Sequence, residues 1–234
     1  MIENSKFRHE IKYQCSEIQQ AIIRSRLQAL MQYDRHAQNG QYTIRSMYFD
    51  NYANRCFYEN EQGTDPREKF RIRIYNASDK RISLECKRKE RGKTHKTSCL
   101  LTKDQYYALV NGEGIANLTA QPEVLRKFHH MVQTQHFVPS VIVEYDRIPF
   151  IYPIGNVRIT LDRNIRSSSD FANFFREHIP TRPILPTGQH LLEVKYDELL
   201  PGFIKNALQL GDLQQTTFSK FYLCKKHSML GVTL

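Results

Sequence analysis

Paired cations recur at alternate positions along several segments of the chain. Arg71 and Arg73 stand two residues apart in one segment, and Lys87 and Lys89 repeat that spacing in the next. Side chains two residues apart on a strand point to the same face, about 7 Å from each other. Arginine and lysine placed in this way supply the charge-assisted hydrogen bonds that phosphate oxygens accept. The pattern therefore predicts a phosphate-binding face on each of two neighbouring strands.

Carboxylates accompany these cations. Glu85 shares a face with Lys87, Glu193 shares one with Lys195, and Arg158 adds a cation from another segment. In so basic a setting, carboxylates are expected either to hold a divalent metal that bridges phosphate oxygens or to be paired by their neighbours. The alternative is that every such face is a solvated stripe. Repetition over four or five strands, always opposite an apolar face, favours one inward-facing cationic cavity.

Period-two alternation predicts the strands that must position these residues. They lie near 7–13, 42–51, 69–75, 82–89, 94–101, 140–150, 157–165 and 190–196, with turns at 76–79 and Gly92. A helix is expected after Ser16, with Gln19 completing a capping box and a stripe formed by Ile18, Ile22, Ile23, Leu27 and Leu30. Further helices are expected at 102–110, 122–135 and 201–210. The fold class is therefore α+β, mainly β, with an antiparallel barrel and peripheral helices.

Composition limits the classes of protein that fit. The chain has 234 residues, 40% of them hydrophobic, which suits a single domain over residues 1–234. A net charge of +10 favours polyanionic partners. Five cysteines without a C-x-x-C pair predict free thiols in a reducing compartment. The first residues carry no apolar signal segment, and no stretch approaches the ~20 apolar residues of a membrane span. A soluble, cytoplasmic protein is expected.

Eight short segments occur in a fixed order along the chain: RHEIKY, YFDN, FRIRIYN, ECKRK, YDR, VRITLDR, LEVKY and FSKF. In this order they resemble the VTC domain, the catalytic part of the vacuolar transporter chaperone polyphosphate polymerase, which has bacterial relatives. That domain belongs to the triphosphate tunnel metalloenzymes, which are related to the CYTH phosphatases. The resemblance covers nearly the whole chain, and the ordered set is more specific than any one motif.

The resemblance implies an eight-stranded antiparallel tunnel barrel in which Mn²⁺ or Mg²⁺ assists phosphoryl transfer. Combined with the strand pattern, it predicts three groups of residues. The expected catalytic residues are Arg71, Arg73, Lys87, Lys96 and Lys220. The expected substrate-binding residues are Glu10, Lys12, Lys89, Arg147, Arg158 and Lys195. The expected metal ligands are Glu193 and Glu85.

One departure from the family pattern bears on the direction of the chemistry. The first glutamate of the superfamily's E-x-E-x-K signature is replaced by Arg8, while Glu10 and Lys12 match its second half. The change removes a carboxylate suited to metal-assisted hydrolysis and adds a cation, which favours a polymerase or a binding protein. The YDR segment is a second irregularity, because strict alternation puts Glu144 and Asp146 on the face opposite Arg147. A bulge there is one explanation.

The function expected from the resemblance is transfer of the γ-phosphoryl group of ATP to a growing polyphosphate chain. The alternatives are a metal-dependent tripolyphosphatase of the same fold and a non-catalytic module that binds triphosphate or polyphosphate. The basic run KRKERGK also suggests nucleic acid, but its alternation fits a hairpin, and no nucleic-acid partner is expected. Eukaryotic members of the family are coupled to membrane subunits. By resemblance, we conjecture a separate membrane protein as a partner.

Overall fold

The computed structural model describes residues 9–37, 39–91, 93–209 and 213–230. Its strands are β1 (His9–Ser16), β2 (Gln32–Tyr33), β3 (Tyr42–Asp50), β4 (Arg67–Tyr75), β5 (Ser78–Glu90), β6 (Lys93–Leu101), β7 (Val138–Tyr152), β8 (Val157–Ser168), β9 (Arg182–Pro183) and β10 (Gln189–Tyr196). Its α-helices are α1 (Glu17–Leu30), α2 (Arg55–Glu61), α3 (Lys103–Asn111), α4 (Glu123–Gln135), α5 (Gly202–Ala207) and α6 (Lys220–Met229). The predicted positions Arg8, Gly92 and Leu210 lie outside the described residues.

Eight long strands form one antiparallel sheet in the order β1-β10-β8-β7-β3-β4-β5-β6, and the short strands β2 and β9 pair with β7 and β8. The sheet curls far enough that Lys87 of β5 reaches Glu10 of β1, with Nζ 3.2 Å from Oε2. These two strands lie six places apart in the strand order, so this ion pair spans the inside of a barrel-like sheet. The expected mainly-β, tunnel-like architecture with peripheral helices is confirmed.

The two faces of this sheet are exchanged relative to an ordinary barrel, because the apolar side chains point outward and the charged ones inward. On β4, Phe70, Ile72 and Ile74 are fully buried in an outer apolar layer that continues into α3 and α4. A second outer layer joins β7, β8 and β10 to α1 and α5. The helices thus cover the apolar face of the sheet, and its interior is left to the charged residues.

Helix α1 begins as the sequence predicts, but it buries a narrower stripe. Ser16 Oγ accepts a hydrogen bond from the Gln19 backbone N–H, and the Gln19 side chain accepts one from the Ser16 N–H. Ile23 and Leu27 of the predicted stripe are fully buried, and Gln20, which was not part of it, is buried beside them. The prediction that Ile18, Ile22 and Leu30 belong to the buried stripe is wrong, because all three are exposed. One helix on a sheet buries a limited arc, and these three lie beyond it.

The alternation of β7 through YDR is regular. Tyr145 and Arg147 point into the barrel, while Glu144 points outward to ion pairs with Arg45 and Arg166. The irregularity lies in the pairing with β8, whose register shifts by one residue between Glu144 and Asp146. The extra residue between these pairs lies on β8, so β7 itself keeps its alternation, and Arg147 faces inward without a bulge in the YDR segment.

Two helices were not predicted. Helix α2 follows Asp50, whose carboxylate accepts hydrogen bonds from the backbone N–H groups of Cys56 and Phe57. Helix α6 starts at Lys220, with Ser219 as its N-cap. Both helices pack on the rim of the barrel and bring polar side chains to its opening. Nowhere in the described ranges does a helix have the length and apolar character needed to cross a membrane.

Candidate active site

The inside of the barrel contains a cavity of about 1070 Å³. Its lining is strongly cationic, with three glutamates (Glu10, Glu61 and Glu193) among a much larger set of lysines and arginines. Those cations are Lys12, Arg67, Lys69, Arg71, Arg73, Lys87, Lys89, Arg91, Lys93, Arg147, Lys195 and Lys220. So many like charges facing one space are stabilised by anions, and the protein's own carboxylates supply only part of that charge. The cavity is therefore built to hold an anionic ligand.

One wall of the cavity comes from β3, β4 and β5. Arg71 donates from Nε and Nη2 to Glu85 Oε2, at 2.8 and 2.5 Å, and from Nη1 to the Tyr48 hydroxyl at 2.8 Å. Arg73 donates to Ser46 Oγ at 3.3 Å and lies 3.8 Å from Glu85 Oε1. Burial would raise the pKa of Glu85, but the two guanidinium groups hold it well below its usual range. Glu85 is thus an ionised counter-ion that fixes both arginines.

The opposite wall comes from β1, β7, β8 and β10. Arg147 forms a two-pronged pair with Asp162, with N–O distances of 2.7 and 2.8 Å, and it also reaches Glu193 at 3.3 Å. Asp162 is completely buried. Glu193 Oε2 lies 3.0 Å from Lys195 Nζ, and Glu193 Oε1 lies 3.6 Å from Lys12 Nζ. Burial would raise the pKa of Glu193, but Lys195 and its other cationic neighbours hold it well below its usual range.

Residues 215–220 begin alongside β1 and line the cavity. The Thr216 N–H donates to the Lys12 carbonyl at 2.9 Å, and Lys12 Nζ donates to the Phe218 carbonyl at 2.8 Å. Lys220, the first residue of α6, places its Nζ 2.7 Å from Asp162 Oδ2 and 4.7 Å from the ring centre of Tyr145. The first strand and the C-terminal helix are thereby tied to one site.

Ten of the thirteen predicted site residues line this one cavity. They are Glu10, Lys12, Arg71, Arg73, Lys87, Lys89, Arg147, Glu193, Lys195 and Lys220. They come from β1, β4, β5, β7, β10 and α6. The structure thus brings together residues that stand up to 210 positions apart in the sequence, from Glu10 to Lys220. Their roles as catalytic, substrate-binding or metal-binding groups stay predictions.

The other three predicted residues do not line the cavity. Glu85 lies behind the two arginines that it pairs with, and its side chain is 5% exposed. Lys96 lies beside it, with Nζ 3.8 Å from Glu85 Oε1 and a side chain 45% exposed. Arg158 shares a sheet face with Lys195, but its Nη2 is held by Asp34 and the Tyr42 hydroxyl, both at 2.9 Å. In the structure Glu85 is a counter-ion of Arg71 and Arg73, and its predicted role as a metal ligand stays a prediction.

Several residues in or beside the cavity were not predicted from the sequence. Asp162 joins Arg147 and Lys220, and it shares the polar face of β8 with Arg158, a signal that was available in VRITLDR. Tyr145 shares the inner face of β7 with Arg147. Lys69 extends the row of Arg71 and Arg73 along β4 and lines the same cavity. Strand alternation alone points to Tyr145 and Lys69.

The carboxylates can be tested as ligands for the divalent metal that the sequence analysis expects. No group of three or more His, Cys, Asp or Glu side chains within the described ranges is arranged to hold a metal ion. Glu10 and Glu193 nevertheless both face the cavity and both contact Lys12. Burial would raise the pKa of Glu10, but Lys195 and Lys87 lower it to about 2, so it is ionised. Mg²⁺ is commonly held by one or two carboxylates plus substrate phosphates, and this pair fits that mode.

Comparison with protein families agrees with this geometry. Residues 7–228 match the family model described as the VTC domain. A search among curated proteins found no match. The family match spans all the strands and all the helices that build the cavity.

Comparison with solved structures shows the same fold. A Hippeastrum protein named as an adenylyl cyclase, for which a dominant triphosphatase activity is described, has a TM-score of 0.57 and 15% identity. The match covers 94% of this chain and 96% of that one. A protein of Pyrococcus horikoshii OT3 has a TM-score of 0.50 and 13% identity, and the match covers 94% of this chain and 99% of that one. At such identities the likeness establishes the fold alone.

Proposed function

Because the chain belongs to the VTC domain family, a family of the triphosphate-tunnel fold, we propose that it is a polyphosphate polymerase. In this proposal the γ-phosphoryl group of ATP is transferred to the end of a polyphosphate chain inside the cavity. The observation that carries it is the charge of the lining, where, among the described residues, twelve lysines and arginines face three glutamates. A triphosphate and the end of a phosphate chain both need such a surplus of donors.

The reaction needs positioning and charge neutralisation more than covalent chemistry by the protein. A terminal phosphate oxygen of the acceptor forms a bond to the γ-phosphorus, the bond to the β–γ bridging oxygen breaks, and ADP leaves with that electron pair. The attacking oxygen is already ionised, so no general base is required. Arg71 is hydrogen-bonded to Glu85, and Arg73 is hydrogen-bonded to Ser46 with Glu85 nearby, so both guanidinium groups are oriented before substrate arrives. Preorganised donors of this kind stabilise charge that develops in the transition state.

Groups from both walls supply the remaining roles. Arg147 is held by Asp162, and Lys195 and Lys87 face the cavity from β10 and β5. Burial lowers the pKa of both lysines. Phosphate oxygens beside them favour the protonated form. A divalent ion held by Glu10 and Glu193 would neutralise the phosphate oxygens and polarise the transferred group. Lys12, which contacts both carboxylates, keeps them in place in its absence.

The direct experiment is incubation of the pure protein with ATP and Mn²⁺, followed by separation of the products on a gel. The expected result is ADP together with long phosphate chains. Release of orthophosphate without chains contradicts the polymerase and favours a triphosphatase, the activity described for the Hippeastrum protein of the same fold. Thermal stabilisation by tripolyphosphate without any turnover favours a binding module.

Two smaller parts of the proposal concern the surroundings of the protein. All five cysteines are free, and four of them are buried, which suits a reducing compartment such as the cytoplasm.

The inward-facing cations suit a narrow phosphate chain, so inorganic polyphosphate is expected to compete better for the cavity than DNA of equal charge. A preference for DNA in that competition would contradict this assignment.

A further inference from the structure

Lys69 is bound differently from Arg71, Lys87 and Lys220, which line the same cavity. Its Nζ donates to Asn60 Oδ1 of α2 and to Ser219 Oγ at 3.4 Å, and it lies 5.1 Å from the ring centre of Phe221. All three partners are neutral, and no carboxylate in the described part of the chain forms an ion pair with it. Arg71, Lys87 and Lys220, by contrast, each have a carboxylate partner.

The charged groups around Lys69 are mostly cations. On its own strand these are Arg67 and Arg71, and directly across on β5 lies Lys87. Lys12 lies opposite on β1, next to Glu10, whose carboxylate is already shared by Lys12 and Lys87. Lys69 therefore faces a cluster of like charges from two further strands.

The helices packed against Lys69 do not supply the missing charge. From α2, burial raises the pKa of the Cys56 thiol, which keeps it neutral, and the Glu61 carboxylate accepts a hydrogen bond from the Tyr222 hydroxyl of α6 at 3.0 Å. Lys220 adds a further cation to the cavity from α6 and pairs with Asp162. The ammonium group of Lys69 is thus half-buried, and its direct partners among the described residues are neutral.

We infer, on the basis of the proposed function, that Lys69 is a phosphate-binding residue whose positive charge is balanced by the anionic ligand. The phosphate chain supplies the negative charge that the described side chains do not pair with Lys69. Binding is then accompanied by uptake of a proton on Nζ, and occupancy of the cavity depends on pH. Asn60 and Ser219 hold the amine in position in either protonation state, since each is neutral.

The electrostatic setting agrees with this role. Burial lowers the pKa of Lys69 to about 7, with Arg67, Lys87 and Lys12 acting in the same direction. A phosphate oxygen beside the ammonium group raises that pKa in the complex. The contribution of Lys69 to binding is therefore fully present below the pKa of the free protein and is lost as the pH rises through the pKa of the complex. Each unit between the two values corresponds to about a tenfold change in affinity.

The test is calorimetric titration with tripolyphosphate, using wild type, Lys69→Arg and Lys69→Met. Each is measured in two buffers of different ionisation enthalpy and over about pH 6.5 to 9. Because tripolyphosphate itself titrates, proton uptake is read as the difference between wild type and Lys69→Arg, whose side chain stays charged. We expect extra proton uptake by wild type, an affinity that falls with pH more steeply than that of Lys69→Arg, and a loss of about tenfold or more in Lys69→Met at neutral pH.

A matched control is Lys103→Arg, a surface lysine paired with Asp79 outside the cavity, which should leave all three readouts unchanged. Thermal unfolding of each variant verifies that it is folded. Equal proton uptake by wild type and Lys69→Arg, or full affinity in folded Lys69→Met, overturns the inference while the proposed function stands. Failure of wild type to bind tripolyphosphate at any pH removes the proposed function, and this inference falls with it.

Discussion

Replacing Glu85 by glutamine distinguishes between two roles for this residue, a structural counter-ion and a metal ligand. Glu85 is nearly fully buried and receives two N–H donors from Arg71, with Arg73 at 3.8 Å. Removing one partner of a buried ion pair costs about 3–5 kcal/mol, because the remaining charge stays buried. The glutamine oxygen still accepts one hydrogen bond from Arg71, so we expect the lower end, about 3 kcal/mol. Lys96 adds little to this figure because its side chain is 45% exposed.

Urea unfolding measures this loss. With a slope of about 3 kcal/mol per molar urea, the midpoint of Glu85→Gln should fall by about 1 M. Folding lowers the pKa of Glu85. The contribution of this ion pair to the free energy of unfolding is therefore present above the pKa of Glu85 in the unfolded chain, and it is lost as the pH falls through the pKa in the folded protein. The difference from wild type should therefore be constant between about pH 8 and 6 and shrink below about pH 4.

The control variant is Glu59→Gln, a partly buried carboxylate paired with the half-exposed Arg55 in an i,i+4 arrangement, which should cost about 0.3–0.5 kcal/mol. If Glu85 is a counter-ion, the Mn²⁺ concentration that gives half-maximal turnover should be unchanged in folded Glu85→Gln. Wild-type stability together with a large rise in that concentration would refute the counter-ion role and support the predicted role as a metal ligand.

Three further outcomes are expected. Arg71→Ala should weaken tripolyphosphate binding by about ten- to a hundredfold, the effect of losing charge-assisted hydrogen bonds, and unchanged affinity in a calorimetric titration would place this arginine outside the binding site. Ser16→Ala removes the side-chain cap of α1, so urea unfolding should show a loss of about 1 kcal/mol with tripolyphosphate affinity unaltered. Burial raises the pKa of Cys15 to about 12 and that of Cys99 to about 11. Thiol reagents at neutral pH should therefore label the folded protein slowly and the urea-unfolded protein fully. Rapid labelling of the folded form would contradict this burial.

Strand faces were predictable from the sequence because period-two alternation is a local property. Arg71 and Arg73 had to share a face once β4 was assigned, and the strictly alternating apolar residues identified the opposite face. The capping box at Ser16 and Gln19 was readable for the same reason, since all its atoms lie within one turn. The prediction that the charged faces point inward came from their repetition along the chain.

Other features depend on contacts that alternation does not encode. Arg158 shares a face with Lys195, yet Asp34 and Tyr42, more than 110 positions away in the sequence, hold its guanidinium group elsewhere. The partner of Arg147 could not be chosen among the available carboxylates without the register that pairs it with Asp162. Helix α2 is seven residues long and depends on Asp50 to bind its N-terminal N–H groups, so its own sequence carries a weak signal.

The pairing of β1 with β10 also determines when the cavity can form. Contacts at this seam, such as that between Glu17 and His190, join residues 173 positions apart in the sequence. Closing so long a loop costs chain entropy before any contact offsets it, and folds dominated by distant strand pairs fold slowly. During synthesis β1 therefore has no partner strand until most of the chain has been made. A ligand of the cavity meets only the finished barrel, so it should slow unfolding and leave the rate of folding nearly unchanged.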